Sequence, residues 1–399
     1  MRIRFQDSGL RYGGVECDFV FRRALCLLFA SVLWMGAQTP APPSFDELKR
    51  RAEAVLDSKP QEAAGLYKQA LALRPDWAEG WLYMGGALYQ LGRYAEATDA
   101  LRKGVALASM IGTGWALLGL SEARLEDADQ ALADIRKGEE LGLGANAPFE
   151  AAVRVEAAQL LIRSSAFDEA LAQLQPLTKH PNVPPAALDA AGLCVLGRPE
   201  EIAKIPPQKR AVVDLAGKAA WAFSGEHPEE ASATYKELLA QFPNEPGVHY
   251  AYGLYLMETD PAAAMAEFEK ELQAAPKHWP ALLVMASLQI RQGDSDRAIE
   301  TLRGALKMVP AKYHWLCHVD LGRAELDANK LDAAIHELQT AAAQMPGNPN
   351  VHYFLADAYR RAGRPADADK ERAEFEKMKA QQDPLGVPAL DPFGLSGKH

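Results

Sequence analysis

The sequence predicts an all-α solenoid: antiparallel helix pairs stacked side by side, about nine units plus one degenerate unit. Three observations carry this. First, Trp81-Leu82-Tyr83-Met84-Gly85, Ala97 and Gly104 return as Trp115-Ala116-Leu117-Leu118-Gly119, Ala131 and Gly138, every position shifted by the same step in sequence number. A fixed period of this length, about 34 residues, marks a repeat array. Second, an alanine marks each unit: Ala63, Ala97, Ala131, Ala170, Ala231, Ala264, Ala298, Ala334 and Ala368, with six of the eight intervals close to that same step. Third, a large apolar residue follows most markers by four (Tyr67, Leu101, Ile135, Leu174, Tyr235, Phe268, Leu302, Leu338), a spacing that puts both on one helix face.

Composition bounds the class of work. The chain has 399 residues, a net charge of −10, 48% hydrophobic residues and 24% charged ones, enough apolar content to bury a core. A negative balance without basic clusters argues against nucleic acid as a partner. Cys17, Cys26, Cys194 and Cys317 show no metal-ligand spacing. Cys194 and Cys317 fall in repeats too far apart along the array for a disulfide.

At the N-terminus, Arg22-Arg23 precede a short apolar run from Ala24 to Met35, and small residues follow. Positive flank, short apolar core and small residues predict a secretory signal peptide over residues 1–37, cleaved after Ala37, with translation starting as late as Val20. Removal takes five Arg and three acidic residues, leaving a net charge of −12. The run is short for a bilayer span. The alternative is an uncleaved anchor at the inner membrane, the one membrane contact foreseen. Residues 38–43 form a linker.

Ser44 caps the first helix, with Glu47 in capping-box position. Pro75, Pro243, Pro276, Pro310 and Pro346 end second helices, because proline lacks an N–H and disfavours helix before it. Gly92, Gly293 and Gly363 take left-handed turns between paired helices.

The motifs Trp81…Met84-Gly85…Ala97…Leu101 and Leu321-Gly322…Ala334…Leu338…Pro346 resemble the tetratricopeptide repeat family, of bacterial exported type, and the likeness covers about residues 44–379. The resemblance implies a right-handed superhelix. It places Gly85, Gly119, Gly322 and Ala356 where two helices touch.

Two intervals break the period. The interval from Ala131 to Ala170 exceeds it slightly, with the excess assigned to a widened loop over 142–148. The interval from Ala170 to Ala231 is nearly two periods long. Inside it, Ala186 to Leu196 reads as a first helix, and Pro206-Pro207 cut short a second begun at Glu200. This predicts an N-terminal block (44–179), a degenerate repeat and Pro-rich break (180–211), and a C-terminal block (212–379). The break is read as a packing irregularity rather than a hinge. A charged last helix caps the array, and residues 380–399 form a tail rich in Pro and Gly, expected to be disordered.

No phosphate loop, HExxH or GxSxG is present, so no catalytic residue and no cofactor is assigned. His314 and His318, at i and i+4, are the densest metal candidate. However, His318 stands at the packing position of Trp81 and Trp115, and no third ligand is spaced to match. No metal is assigned, and the chain is read as a non-enzyme.

In the resembling family the first helices line a concave groove that captures segments of other proteins. Carried over, that face holds Leu82 and Tyr89; Ala116, Leu120 and Arg124; Tyr250, Leu254 and Met257; Leu283, Ile290 and Arg291; Val319, Arg323 and Asp327; and Asn350, Tyr353, Asp357, Arg360 and Arg361. Aromatic and Arg residues are the usual anchors of interfaces. The family's carboxylate clamp is missing, since Leu82, Gly86 and Ala116 stand where its polar residues belong. The expectation is a protein- or peptide-binding scaffold in the periplasm. An accessory subunit delivering substrates to an envelope enzyme is the alternative; an enzyme with a site hidden in the groove is the less favoured one.

Overall fold

The computed structural model describes residues 42–382 except Pro181. The expected signal segment and most of the tail lie outside these residues. Among the described residues there are nineteen α-helices, four short 3-10 turns and no strand. None of the helices is long and apolar enough to cross a membrane. The chain divides into two compact units, one ending at Val153 and the other beginning at Arg154.

In the first unit, α1 (Phe45–Val55) pairs with α2 (Pro60–Leu73), α3 (Ala78–Gln90) with α4 (Tyr94–Leu107), and α5 (Gly112–Ala123) with α6 (Ala128–Leu141). The unit boundary falls within α7 (Ala147–Arg163), and α8 (Phe167–Leu174) follows it in the chain. In the second unit, α9 (Pro185–Val195) stands without a second helix. Five pairs follow: α10 (Arg210–Ser224) with α11 (Pro228–Gln241), α12 (Val248–Leu256) with α13 (Pro261–Ala274), α14 (Trp279–Arg291) with α15 (Ser295–Ala305), α16 (His314–Asp327) with α17 (Leu331–Gln344), and α18 (Pro349–Arg361) with α19 (Pro365–Gln382). Within each unit a helix packs mainly on its neighbours in sequence, which is the arrangement of a helical solenoid.

The markers explain the packing. All nine alanines are buried on second helices, and so are the eight large residues four positions on. Several of the large residues seat against a glycine on the first helix. A Cβ added to Gly85 would lie 2.4 Å from Leu101, one on Gly253 2.5 Å from Phe268, and one on Gly322 2.4 Å from Leu338. Close-packed interiors leave no room for another methyl at such contacts. Ser44 caps α1 by accepting from the Glu47 amide at 3.3 Å. Gly92, Gly293 and Gly363 have φ of 71°, 80° and 69°, the left-handed turn expected of them. Pro75, Pro243, Pro276 and Pro346 each follow a second helix by two positions; Pro310 follows α15 by five.

Two details differ from the sequence reading. The excess over the repeat period goes mainly into α7, which runs 17 residues against 12 in α5, and not into the loop before it. That loop holds Gly142 and Gly144 at positive φ and spans 142–146. The short helix expected from Glu200 is absent: two 3-10 turns, Ile202–Lys204 and Pro207–Lys209, replace it. Prolines at 199, 206 and 207 cannot donate the amide bonds an α-helix needs there.

Candidate interaction surface

A repeated polar device sets the first helices in place. The Trp81 indole N–H donates to the Pro75 carbonyl, and that of Trp115 to Ser109, both at 2.8 Å. In the second unit, His249 Nε2 donates to the Pro243 carbonyl at 3.0 Å and His352 Nε2 to Pro346 at 3.1 Å. Each bond spans six positions and ties the start of a first helix to the end of the preceding second helix. The histidines also bind across their own pair. His249 Nδ1 lies 2.6 Å from Glu267, and His352 Nδ1 2.7 Å from Glu371. His318 Nδ1 lies 2.6 Å from Glu337 and holds that carboxyl below the usual range. His314 turns instead to the Val309 carbonyl at 3.0 Å, so the two histidines of the metal candidate serve separate helix junctions. Among the described residues, no group of three or more His, Cys, Asp or Glu is arranged to hold a metal. Sequence reasoning missed the three His–Glu pairs. Their signal is a histidine at the Trp81 position with a glutamate 18 or 19 positions later on the following second helix.

A second buried device anchors α12. Glu271, fully buried, accepts from the Gly247 amide at 2.8 Å and the Tyr250 amide at 3.3 Å, and lies 3.0 Å from His278. Burial pushes this carboxyl up, but His278 and the two amides outweigh it and hold it below its ordinary value.

The residues predicted for the groove divide by burial. In the first unit Leu82, Ala116 and Leu120 are buried, Tyr89 is half-buried against Tyr94, and Arg124 is exposed. In the second unit Tyr250 is 6% exposed, packed between His278 and Phe268. Leu283 and Ile290 are buried, and Leu254, Met257 and Val319 half-buried. Arg291 and Asn350 are exposed.

The structure brings the remaining residues together on α16 and α18. Tyr353 is 54% exposed, with ring contacts to Phe354 at 5.3 Å and to Phe375 of α19 at 5.6 Å. Arg323 lies over the Phe354 ring at 5.1 Å and donates to Asp320 at 3.1 Å. Arg360 pairs with Asp357, and Arg361 donates to the Leu326 carbonyl at 2.7 Å while standing 3.8 Å from Asp357. Burial pushes the Asp327 carboxyl up, with Arg323 and Arg361 opposing that and Asp357 adding to it. The result is an aromatic and mixed-charge patch. Phe375 belongs to it, though the first-helix pattern gave no sign of a residue on a second helix.

This fold and these junctions define a helical repeat protein. The tetratricopeptide repeat family model matches residues 54–108, 255–315 and 325–371, so the chain carries tetratricopeptide repeats over these stretches. No curated protein matches it at a significant level. Among solved structures, MamA of Desulfovibrio magneticus RS-1 (residues 41 to the end) is 20% identical, with a TM-score of 0.40, covering 45% of this chain and 99% of its own. PilF of Pseudomonas aeruginosa is 17% identical, also with a TM-score of 0.40, covering 43% of this chain and 78% of its own.

Proposed function

We propose that the chain is a non-catalytic scaffold that binds segments of other proteins through exposed faces of its first helices. The observation that carries this is the patch of Tyr353, Asp357 and Arg360 on α18. A large aromatic ring stays half in solvent there, supported by Phe354 and Phe375 and flanked by charge of both signs. Exposed aromatic and Arg residues held rigidly are what interface hot spots require. The half-buried Tyr89, Leu254 and Met257, with Arg124, Arg291, Arg323 and Arg361, extend the proposed surface within their own units; Leu82 and Tyr250 support it from beneath. The leader-like residues 1–37 support export to the periplasm, or retention at the inner membrane facing it if uncleaved.

The test is site-specific photo-crosslinking from position 353 in the cell envelope, repeated with Arg360→Ala. A discrete adduct that weakens with Arg360→Ala supports the reading. Adducts absent at 353 but present from a control position on a second helix would move the binding face elsewhere.

A further inference from the structure

We infer that the first unit carries a pocket for a basic group on an apolar stem, the chemistry of a lysine or arginine side chain of another protein. The pocket is separate from the α18 patch and does not depend on it. It encloses about 310 Å³ between α4, α5 and α6, with Val105, Leu118 and the Trp115 ring as apolar wall and Arg102, Gln130 and Asp134 as polar rim.

The repeat itself shows what sits on this ring. Trp81 is the equivalent residue one unit earlier, and its ring carries the Lys103 ammonium at 4.5 Å. The equivalent of Lys103 in the next unit is Lys137, and it pairs instead with Glu140 at 3.3 Å. Ala106 occupies the position of Glu140 in the earlier unit, so no carboxylate at that position draws Lys103 away. One tryptophan face therefore holds the chain's own cation, and the next one lines an open cavity. Cation–π contact of this kind contributes on the order of 1 kcal/mol, more when desolvated.

The charge around the cavity is unbalanced in the matching sense. Asp134 is 5% exposed and accepts from Gln130 at 3.1 Å. Glu122 behind it is 1% exposed, and Arg102 donates to its Oε1 at 2.8 Å. The Arg102 guanidinium thus pairs with Glu122, and Asp134 adds a second buried carboxyl beside them at the pocket rim. Burial, then the hydrogen bond and charge of the neighbouring Asp134, push the Glu122 carboxyl up to about 7 against the opposing pull of Arg102. The corresponding positions one unit earlier are Leu88 and Ala100, so this acidic pair distinguishes the unit whose tryptophan is uncovered from the one before it.

The experiment follows the Trp115 indole N–H by NMR in the full chain, assigned through Trp115→Phe. N-acetyl-lysine methylamide, its arginine counterpart and its norleucine counterpart are titrated in turn. The two basic probes are expected to shift the signal saturably and the norleucine probe not to. Asp134→Asn should weaken binding at least about tenfold. Because Asp134 is buried, Glu140→Ala serves as the second variant. It alters an exposed side chain, frees Lys137 to cover Trp115, and should abolish probe binding at an unchanged melting temperature. An equal response to norleucine, no response to any probe, or undiminished binding in Glu140→Ala would overturn the inference.

Discussion

Gly192 and Gly217 stand back to back where α9 crosses α10. A Cβ on Gly192 would lie 2.1 Å from the Val213 carbonyl oxygen, and one on Gly217 2.1 Å from that of Leu188. In the regular repeats a second helix separates one first helix from the next. Here the second helix is missing, and two first helices close directly on each other. Backbone-to-backbone approach replaces the side-chain layer that a full repeat would supply.

This contact makes a prediction with an internal control. Gly192→Ala and Gly217→Ala each force backbone apart and should cost about 2–4 kcal/mol in denaturant unfolding, at the upper end of overpacking penalties. Gly65, inside α2, has nothing within 4 Å of the place a Cβ would take. Gly65→Ala should therefore stabilise by about 0.5–1 kcal/mol through helix propensity. Equal effects at Gly65 and Gly192 would refute the close crossing.

How much of this was legible follows from what each feature depends on. The alanine markers and their partners four positions on were readable because one helix face recurs at a constant interval, and every one is buried. Gly85 and Gly322 were readable for the same reason. Gly192 and Gly217 were not, because their contact exists only once the intervening helix is lost. The extra residues before Ala170 were assigned to a loop on the strength of Gly142 and Gly144, yet the stretch after Pro148 has no breaker and stays helical to Arg163. Burial was the least legible property. Tyr250 and Tyr353 read alike on the predicted groove face, but one is 6% and the other 54% exposed. Local sequence does not say which neighbouring helix covers a ring.

The Glu271 junction predicts a strong and pH-linked effect. Removing a buried carboxylate that accepts from two amides and sits beside a histidine leaves both amides without their acceptor. Glu271→Ala should cost on the order of 3 kcal/mol at neutral pH, concentrated in the second unit. Its carboxyl is held low in the folded protein. The stability it adds is therefore present above the ordinary carboxyl range and is lost as pH falls through the folded value. Acid unfolding followed by circular dichroism should be shallower in Glu271→Gln; an unchanged acid limb would count against the assignment.

Glu122 predicts the opposite slope. Its carboxyl rises from the usual 4.5 to about 7 on folding. A group raised in this way favours folding below its unfolded value and loses that contribution as pH rises through the folded one. First-unit stability should decline between about pH 4.5 and pH 7, and Glu122→Gln should flatten that decline. The variant should also gain about 1–2 kcal/mol on the alkaline side, where a buried charge is replaced by a neutral amide. Melting temperatures across this range check it. Identical profiles for both proteins would show that Glu122 stays ionised when folded.

The two tyrosines separate folding from binding. Tyr250 is enclosed by His278 and Phe268, so Tyr250→Ala removes a core ring and should cost about 3–5 kcal/mol. Tyr353 stands half in solvent on Phe354 and Phe375, so Tyr353→Ala should cost no more than about 1 kcal/mol, the scale of an aromatic pair. If α18 presents the binding face, the same change should weaken a crosslinked partner at least about tenfold, the effect of losing an interface anchor. Surface plasmon resonance against that partner, with melting curves run alongside, measures both quantities on one sample. A Tyr353→Ala protein that melts normally and binds normally would take α18 out of the interface, whereas one that melts early would make Tyr353 a packing residue after all.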